Sequence, residues 1–335
     1  MPGTDHTEAM RVILGELPDL PHLAELPARG VGADLTGRTA ALLVDLPVET
    51  TPTGWRFAGR PGRELRRARD LLSSDLDTLE ESAGGYQGPL KIQVCGPWTL
   101  AATIELARSQ EAALADPGAV ADLAESLAEG LRAHLAEARK RVQGAQVLLQ
   151  LDEPALPTVL AGGVPTASGL ARLAPPEPAD VQARLRVVCQ AATTFTVVHC
   201  CAASVPFGMI KDVGADAVSV DLSQLRRGEE DGLAEVAEAG LGILAGVIPA
   251  TPHIPAERAG APRLPEPRAT AARVVELWRT MGWPTRSGTG REGAAGQVVP
   301  TPACGLAGAP PQYARAALAH CREAAALLPE LIEEG

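Results

Sequence analysis

The stretch FTVVHCCAASVP (195–206) ends an apolar run with a histidine and two cysteines. Side chains alternate along a strand, so His199 and Cys201 would project to one side and Cys200 to the other. The pair two residues apart could reach a common ion, leaving Cys200 to pack among helices. Cysteine is also among the most buried residue types and often behaves as a small hydrophobe. Taken alone, the run fits a greasy strand as well as a ligand-bearing one. Neighbouring apolar runs carry further candidates. QVLLQLDEP closes on Asp152 and Glu153, AVSVDLS carries Asp221, and Cys304 follows GQVVPTP. A site of histidine, two thiolates and a carboxylate suits zinc, and soft thiolates disfavour magnesium and calcium.

Asp152 and Glu153 are adjacent, so on a strand they diverge and cannot act as one acid–base pair. One could bind substrate while the other is held by the scaffold, or both could lie on a solvated turn. Cys95 in QVCGPW reads as core, with Trp98 just past it as an apolar wall. GTGREG (288–293) matches a glycine-rich phosphate motif but precedes a strand instead of following one, which favours a plain loop.

These residues need elements to position them. Eight short apolar runs read as strands: 11–18, 41–47, 91–98, 146–154, 195–201, 217–223, 241–249 and 296–304. Most are nearly continuous in Val, Ile and Leu, as in parallel strands buried on both faces. Helical periodicity lies between most of them, at 63–82, 117–142, 180–192, 269–283 and 311–334. The alternation points to one (β/α)8 barrel, with a doubly wound sheet as the competing arrangement. In a barrel, active sites form at the C-terminal strand ends, where most of the candidate residues fall.

Composition narrows the partners. A net charge of −11 over 335 residues argues against nucleic acid. No run of 18 apolar residues suggests a membrane span, and the N-terminal segment lacks a signal-peptide pattern. A cytoplasmic protein is expected, in which six cysteines are free, metal-bound or catalytic rather than paired.

LQLDEPAL, VVHCC, GADAVSVDLS and PTPACGL, in this order, resemble the catalytic barrel of cobalamin-independent methionine synthase. The resemblance implies a single (β/α)8 TIM barrel spanning 1–335 and a zinc ion held by His199, Cys201, Asp221 and Cys304. Asp221 stands where the family usually has a glutamate. Asp152 matches the aspartate that holds the amino group of homocysteine, the methyl acceptor. LGELP resembles a G-S-x-P turn near the substrate carboxylate, which would place Gly15 and Glu16 at the substrate. In GVIPATP, Ala250 occupies the position of a proton-handling histidine, and His253 follows nearby. The methyl donor implied is either a methylfolate or a methylated corrinoid protein.

A free thiol has a pKa of about 8.5, and the thiolate is what reacts. A zinc site rich in thiolates should deprotonate a substrate thiol and leave it electron-rich, which favours alkyl transfer over hydrolysis. The expected activity is zinc-dependent methyl transfer to homocysteine. Two readings compete with it: methyl transfer or thioether cleavage on another small thiol, and a zinc-binding barrel that has lost catalysis.

Overall fold

The computed structural model describes residues 1–252, 264–282 and 298–334. In chain order the strands are β1 Val48–Thr51, β2 Gly54–Phe57, β3 Gly88–Cys95, β4 Ile104–Glu105, β5 Ala145–Asp152, β6 Thr196–Cys200, β7 Ala217–Asp221, β8 Gly242–Ile248 and β9 Val298–Pro302. The helices begin with α1 His6–Glu16, α2 Leu35–Ala40, α3 Arg63–Ser82 and α4 Pro97–Thr103. They continue with α5 Pro117–Arg141, α6 Leu156–Leu160, α7 Pro178–Ala191, α8 Phe207–Asp212, α9 Glu230–Glu238, α10 Pro267–Thr280 and α11 Pro311–Glu333.

The main sheet is parallel and six-stranded, in the order β3-β5-β6-β7-β8-β9. Each strand therefore pairs with the next, as a βα repeat demands when helices return the chain to the same edge. Six of the eight expected strands are these. Every residue of β6 is buried, which explains its unbroken apolar character. The other two expected strands are not strands.

Residues 11–16 belong to α1 instead, where Ala9, Met10 and Ile13 are buried at helical spacing. Asp5 caps that helix by accepting the Glu8 N–H at 3.0 Å. Residues 41–47 form a turn after α2, with Asp45 at a φ of 54°, which no strand accommodates. The main sheet instead extends at its β3 edge through a single parallel bridge. There the Leu23 N–H donates to the Lys91 carbonyl and the Lys91 N–H to that of Pro21, both at 2.9 Å. A second, three-stranded sheet, β1-β2-β4, lies outside the expected pattern. The GTGREG segment lies outside the described residues.

Two apolar clusters show how the main sheet's faces are used. Val198, Val218, Ile243 and Val298 join the large core, which runs from Ala9 to Leu328. Val197, Ala217 and Leu244, with Val299 against them, fill the opposite, inner face. By strand alternation, His199, Ser219, Gly246 and Thr301 share that inner face one step nearer the C-terminal ends. Apolar filling below and polar groups above is therefore built into the register. Among the described residues no helix is long and apolar enough to cross a membrane.

Glu153 shows how the rim is held. It is fully buried and accepts the Trp98 and Thr99 N–H groups at 2.9 and 2.8 Å and the Thr99 hydroxyl at 2.7 Å, closing the start of α4. Burial pushes its pKa up to about 7, and these donors pull it back toward the charged form. Gly96 makes room for it: a Cβ there would lie 2.3 Å from Glu153 Oε1. Glu153→Ala, which orphans buried donors, should destabilise the fold by about 1–3 kcal/mol, and Gly96→Ala should lower the urea midpoint as well. Unchanged midpoints in both variants would refute this account of the rim.

Candidate metal centre

Register brings the central residues to one level. Asp152 pairs with His199 across β5 and β6, and His199 pairs with Ser219 across β6 and β7. Cys201 follows β6 on the same parity as His199. Cys304 arrives from beyond β9, where the β8–β9 pairing shifts register between Gly246 and Ile248. Such irregularities bend a strand and re-aim the side chains beyond the bend. Gly246 permits the close approach, since a Cβ there would meet the Val220 carbonyl oxygen at 2.5 Å and Ala303 Cα at 2.8 Å.

The result is a compact donor set. One ligand atom from each of His199, Cys201 and Cys304 lies within 4.8 Å of the others. His199 is buried, Cys201 half-buried and Cys304 exposed, so the cluster opens toward solvent on its sulfur side. His199 Nδ1 lies 3.0 Å from the buried Ser219 hydroxyl. That contact occupies one ring nitrogen and leaves Nε2 as the ligand atom.

The electrostatics agree. The hydrogen bond between Cys201 and Cys304 lowers the Cys304 pKa to about 4, with His199 assisting. The same hydrogen bond raises that of Cys201. Burial opposes protonation of His199, yet its hydrogen bond to Cys304 and the Asp152 charge outweigh it and raise the His199 pKa. Cys200, facing the other way, is fully buried in the main core, and burial pushes its thiol up to about 11. An imidazole nitrogen and two thiol sulfurs, gathered at this range and half open, fit a catalytic zinc that keeps one position for substrate.

Asp221, the fourth expected ligand, is not brought into the cluster. Its Oδ1 accepts the Ser223 N–H at 2.8 Å and the Ser223 hydroxyl at 2.7 Å. A local turn thus captures the short carboxylate at the end of β7. Asp152 lies beside the cluster, on the same face. It is buried, accepts from Gln150 Nε2 at 2.7 Å, and burial pushes its pKa up to about 6 against the pull of His199 and Lys91.

Gly15 and Glu16 are elsewhere. LGELP is the end of α1, not a turn at the strand ends. Glu16 pairs with Arg315 Nε at 2.7 Å on α11, and Arg322 donates to the Gly15 and Glu16 carbonyls. Both residues belong to a helix seam, which corrects the expectation of a turn at this point. Trp98 is fully packed between elements. Its indole donates to the Val181 carbonyl at 3.0 Å, tying α4 to α7, and its ring walls a separate cavity of about 400 Å3 with Leu114, Val120 and Pro175. His253 lies outside the described residues.

Ser219, Lys91 and Glu25 join the site without having been expected there. Lys91 is half-buried on β3; burial lowers its pKa, and the charges of Asp152 and Glu25 oppose that. Lys91, Gln93, Gln150 and Ser219 are polar residues at alternate positions of apolar strands. That pattern marks an inner face with a polar layer.

Comparison with known proteins agrees with this arrangement. Residues 90–327 match the family model described as cobalamin-independent synthase, catalytic domain. The chain belongs to that family. It is accordingly a methyltransferase, and the matched span includes Asp152, His199, Cys201 and Cys304. Among solved structures, a B12-independent methionine synthase from Shewanella sp. W3-18-1, in complex with selenomethionine, is 14% identical. The similarity covers 78% of this chain and 67% of that one, with a TM-score of 0.50. No curated protein sequence matches the chain.

The Ser219 contact makes a checkable claim on this synthase-family chain. Ser219→Ala should weaken zinc binding by about 10–100-fold in a chelator competition. An unchanged affinity would show that another group fixes the ring.

Proposed function

We propose that this chain transfers a methyl group to the thiol of homocysteine, using zinc held by His199, Cys201 and Cys304. The single observation that supports it most is the convergence of those donors within 4.8 Å, with Asp152 at the same level of the sheet. When bound, zinc would lower the proton affinity of a coordinating thiol and hold it as a nucleophile. The remaining work falls to the chain's own residues.

Asp152 would bind the substrate ammonium and fix the direction in which the thiol points. Glu25 is close enough for its charge to act on both Asp152 and Lys91. Two carboxylates at a buried rim favour a thiol that carries an amine over one that does not. Lys91 supplies part of the counter-charge that keeps those carboxylates ionised without an occupant. The methyl donor in this reading is a methylfolate or a methylated corrinoid protein. The proposal extends to architecture: residues 1–335 form one catalytic (β/α)8 barrel, with the extended segment at Pro21–Leu23 completing part of the wall beside β3.

Two measurements test the reading. Purified protein should carry about one equivalent of zinc, lost on Cys201→Ser; a stoichiometry unaffected by that change would end the case for this centre. In the zinc-loaded protein, Asp152→Asn should weaken homocysteine binding by about 1.5–3 kcal/mol, the range for a hydrogen bond to a charged group. Equal affinity in calorimetry would remove Asp152 from the substrate site.

A further inference from the structure

A cavity beside the small sheet takes no part in the proposed reaction. It measures about 460 Å3 and is lined by Asp34, Thr53, Trp55, Thr103, Glu105 and Gln110, together with residues 164–167. Thr103 ends α4 and Glu105 ends β4, the elements that follow β3, and residues 164–167 follow α6 beyond β5. Both connections leave the main sheet at its C-terminal strand ends, so the cavity and the candidate metal centre lie at the same end of the fold. None of the lining residues belongs to the donor cluster or to the polar layer around Asp152.

The walls are pinned by contacts of their own. The Ala167 N–H donates to Glu111 Oε2 at 3.0 Å and the Leu106 N–H to the Glu111 carbonyl at 2.8 Å, which ties the two loops together. Trp55, only 3% exposed, lies against Gly37 of α2, where a Cβ would meet its Cζ2 at 3.0 Å. Two polar groups are nevertheless left over. The buried Trp55 Nε1 has no hydrogen-bond partner among the described residues, and neither has the buried Glu105 Oε2. The other Glu105 oxygen accepts the Thr53 hydroxyl. Arg56, beside Glu105 in the β2–β4 register, is engaged by Glu49 at 2.6 Å. A buried donor or acceptor left unmade is costly, so each of these two groups calls for an occupant.

Their demands are complementary: Glu105 lacks a donor and Trp55 an acceptor. Asp34 and Glu105 are both carboxylates, and no Lys, Arg or His is among the described lining residues. Such a cavity repels an anion and draws in a cation, and an indole face adds a cation–π attraction. We infer that this cavity is a binding site for a small ammonium compound that carries an oxygen acceptor, an amino alcohol in its simplest form, with the ammonium group on Glu105 and the oxygen on the Trp55 N–H. Asp34, whose Oδ1 accepts the Gly37 N–H at 2.6 Å as the cap of α2, adds its charge from a fixed place. Binding needs neither zinc nor a thiol, and no covalent step is involved.

The test titrates the purified full chain with three probes that differ by one group. They are 3-aminopropan-1-ol, propane-1,3-diol, which lacks the charge, and 1-aminopropane, which lacks the oxygen. Binding is read from the indole N–H resonances of nitrogen-labelled protein, the Trp55 signal being the one lost in Trp55→Phe. The amino alcohol should shift that signal saturably, and bind about tenfold or more tightly than the diol and about threefold more tightly than the amine. Glu105→Gln, which keeps the shape and removes the charge, should bring the amino alcohol to within about twofold of the diol. Cys201→Ser, outside the cavity, should leave the affinity unchanged. The inference is overturned by the absence of a saturable shift at Trp55, by equal binding of the amino alcohol and the diol, or by a Glu105→Gln variant that keeps the preference. Loss of binding in Cys201→Ser overturns it too, since the cavity would then be part of the metal centre. If Trp55→Phe does not fold, sequential backbone assignment identifies the Trp55 signal and Glu105→Gln carries the test.

Discussion

The in-register parallel pairing of β5, β6 and β7 is the constraint on which the site depends. It places Asp152, His199 and Ser219 on adjacent strands at one height. A slip of one residue in β6 would turn Cys200 inward and send His199 and Cys201 into the helical layer. The apolar parity below does not by itself prevent this. Val197, Ala217 and Leu244 pack together on the inner face, while Val198 and Val218 pack outward with the helices. Both faces are apolar, so burial alone does not choose between them. Side-chain identity at the strand ends and the hydrogen bond between His199 and Ser219 favour the observed register.

Two adjacent carboxylates illustrate how environment divides labour. Asp152 and Glu153 differ by one methylene and one step of the chain, and alternation sends them to opposite sides of the sheet. Glu153 meets two backbone N–H groups and a hydroxyl, becomes a cap for α4, and is sealed in by Gly96. Asp152 meets only one such donor, Gln150, together with the charges of His199, Lys91 and Glu25. One peptide bond thus separates a carboxylate saturated by the scaffold from one that is not.

The six strands of the main sheet are legible in the sequence because burial on both faces leaves continuous Val, Ile and Leu runs. His199, Cys201 and Cys304 are legible because alternation and strand ends are simple rules. The first two runs mislead for physical reasons. VIL at 12–14 is too short to separate a strand from one face of a helix, and Asp5 with Glu8 is the capping signal that decides it. ALLVDLP loses its strand to Asp45, whose left-handed backbone makes a turn. Asp221 is expected as a ligand from its position, but position does not reveal that Ser223 two residues on closes a turn around it. Glu25 is invisible because it lies in an irregular segment, where Arg38 Nε stands 3.3 Å from its carboxylate.

The three clustered donors, without Asp221, already carry a chemical argument. Two thiolates would balance the charge of a divalent zinc, and a neutral imidazole would add none. With three donors, zinc held there would keep a place for a substrate thiolate, and the exposed Cys304 side would be the approach. Two sulfurs favour a soft, polarizable partner. In the proposed reading the residues gathered at the strand ends would select sulfur twice, once through the ligands and once through the kind of partner those ligands would leave the ion able to bind.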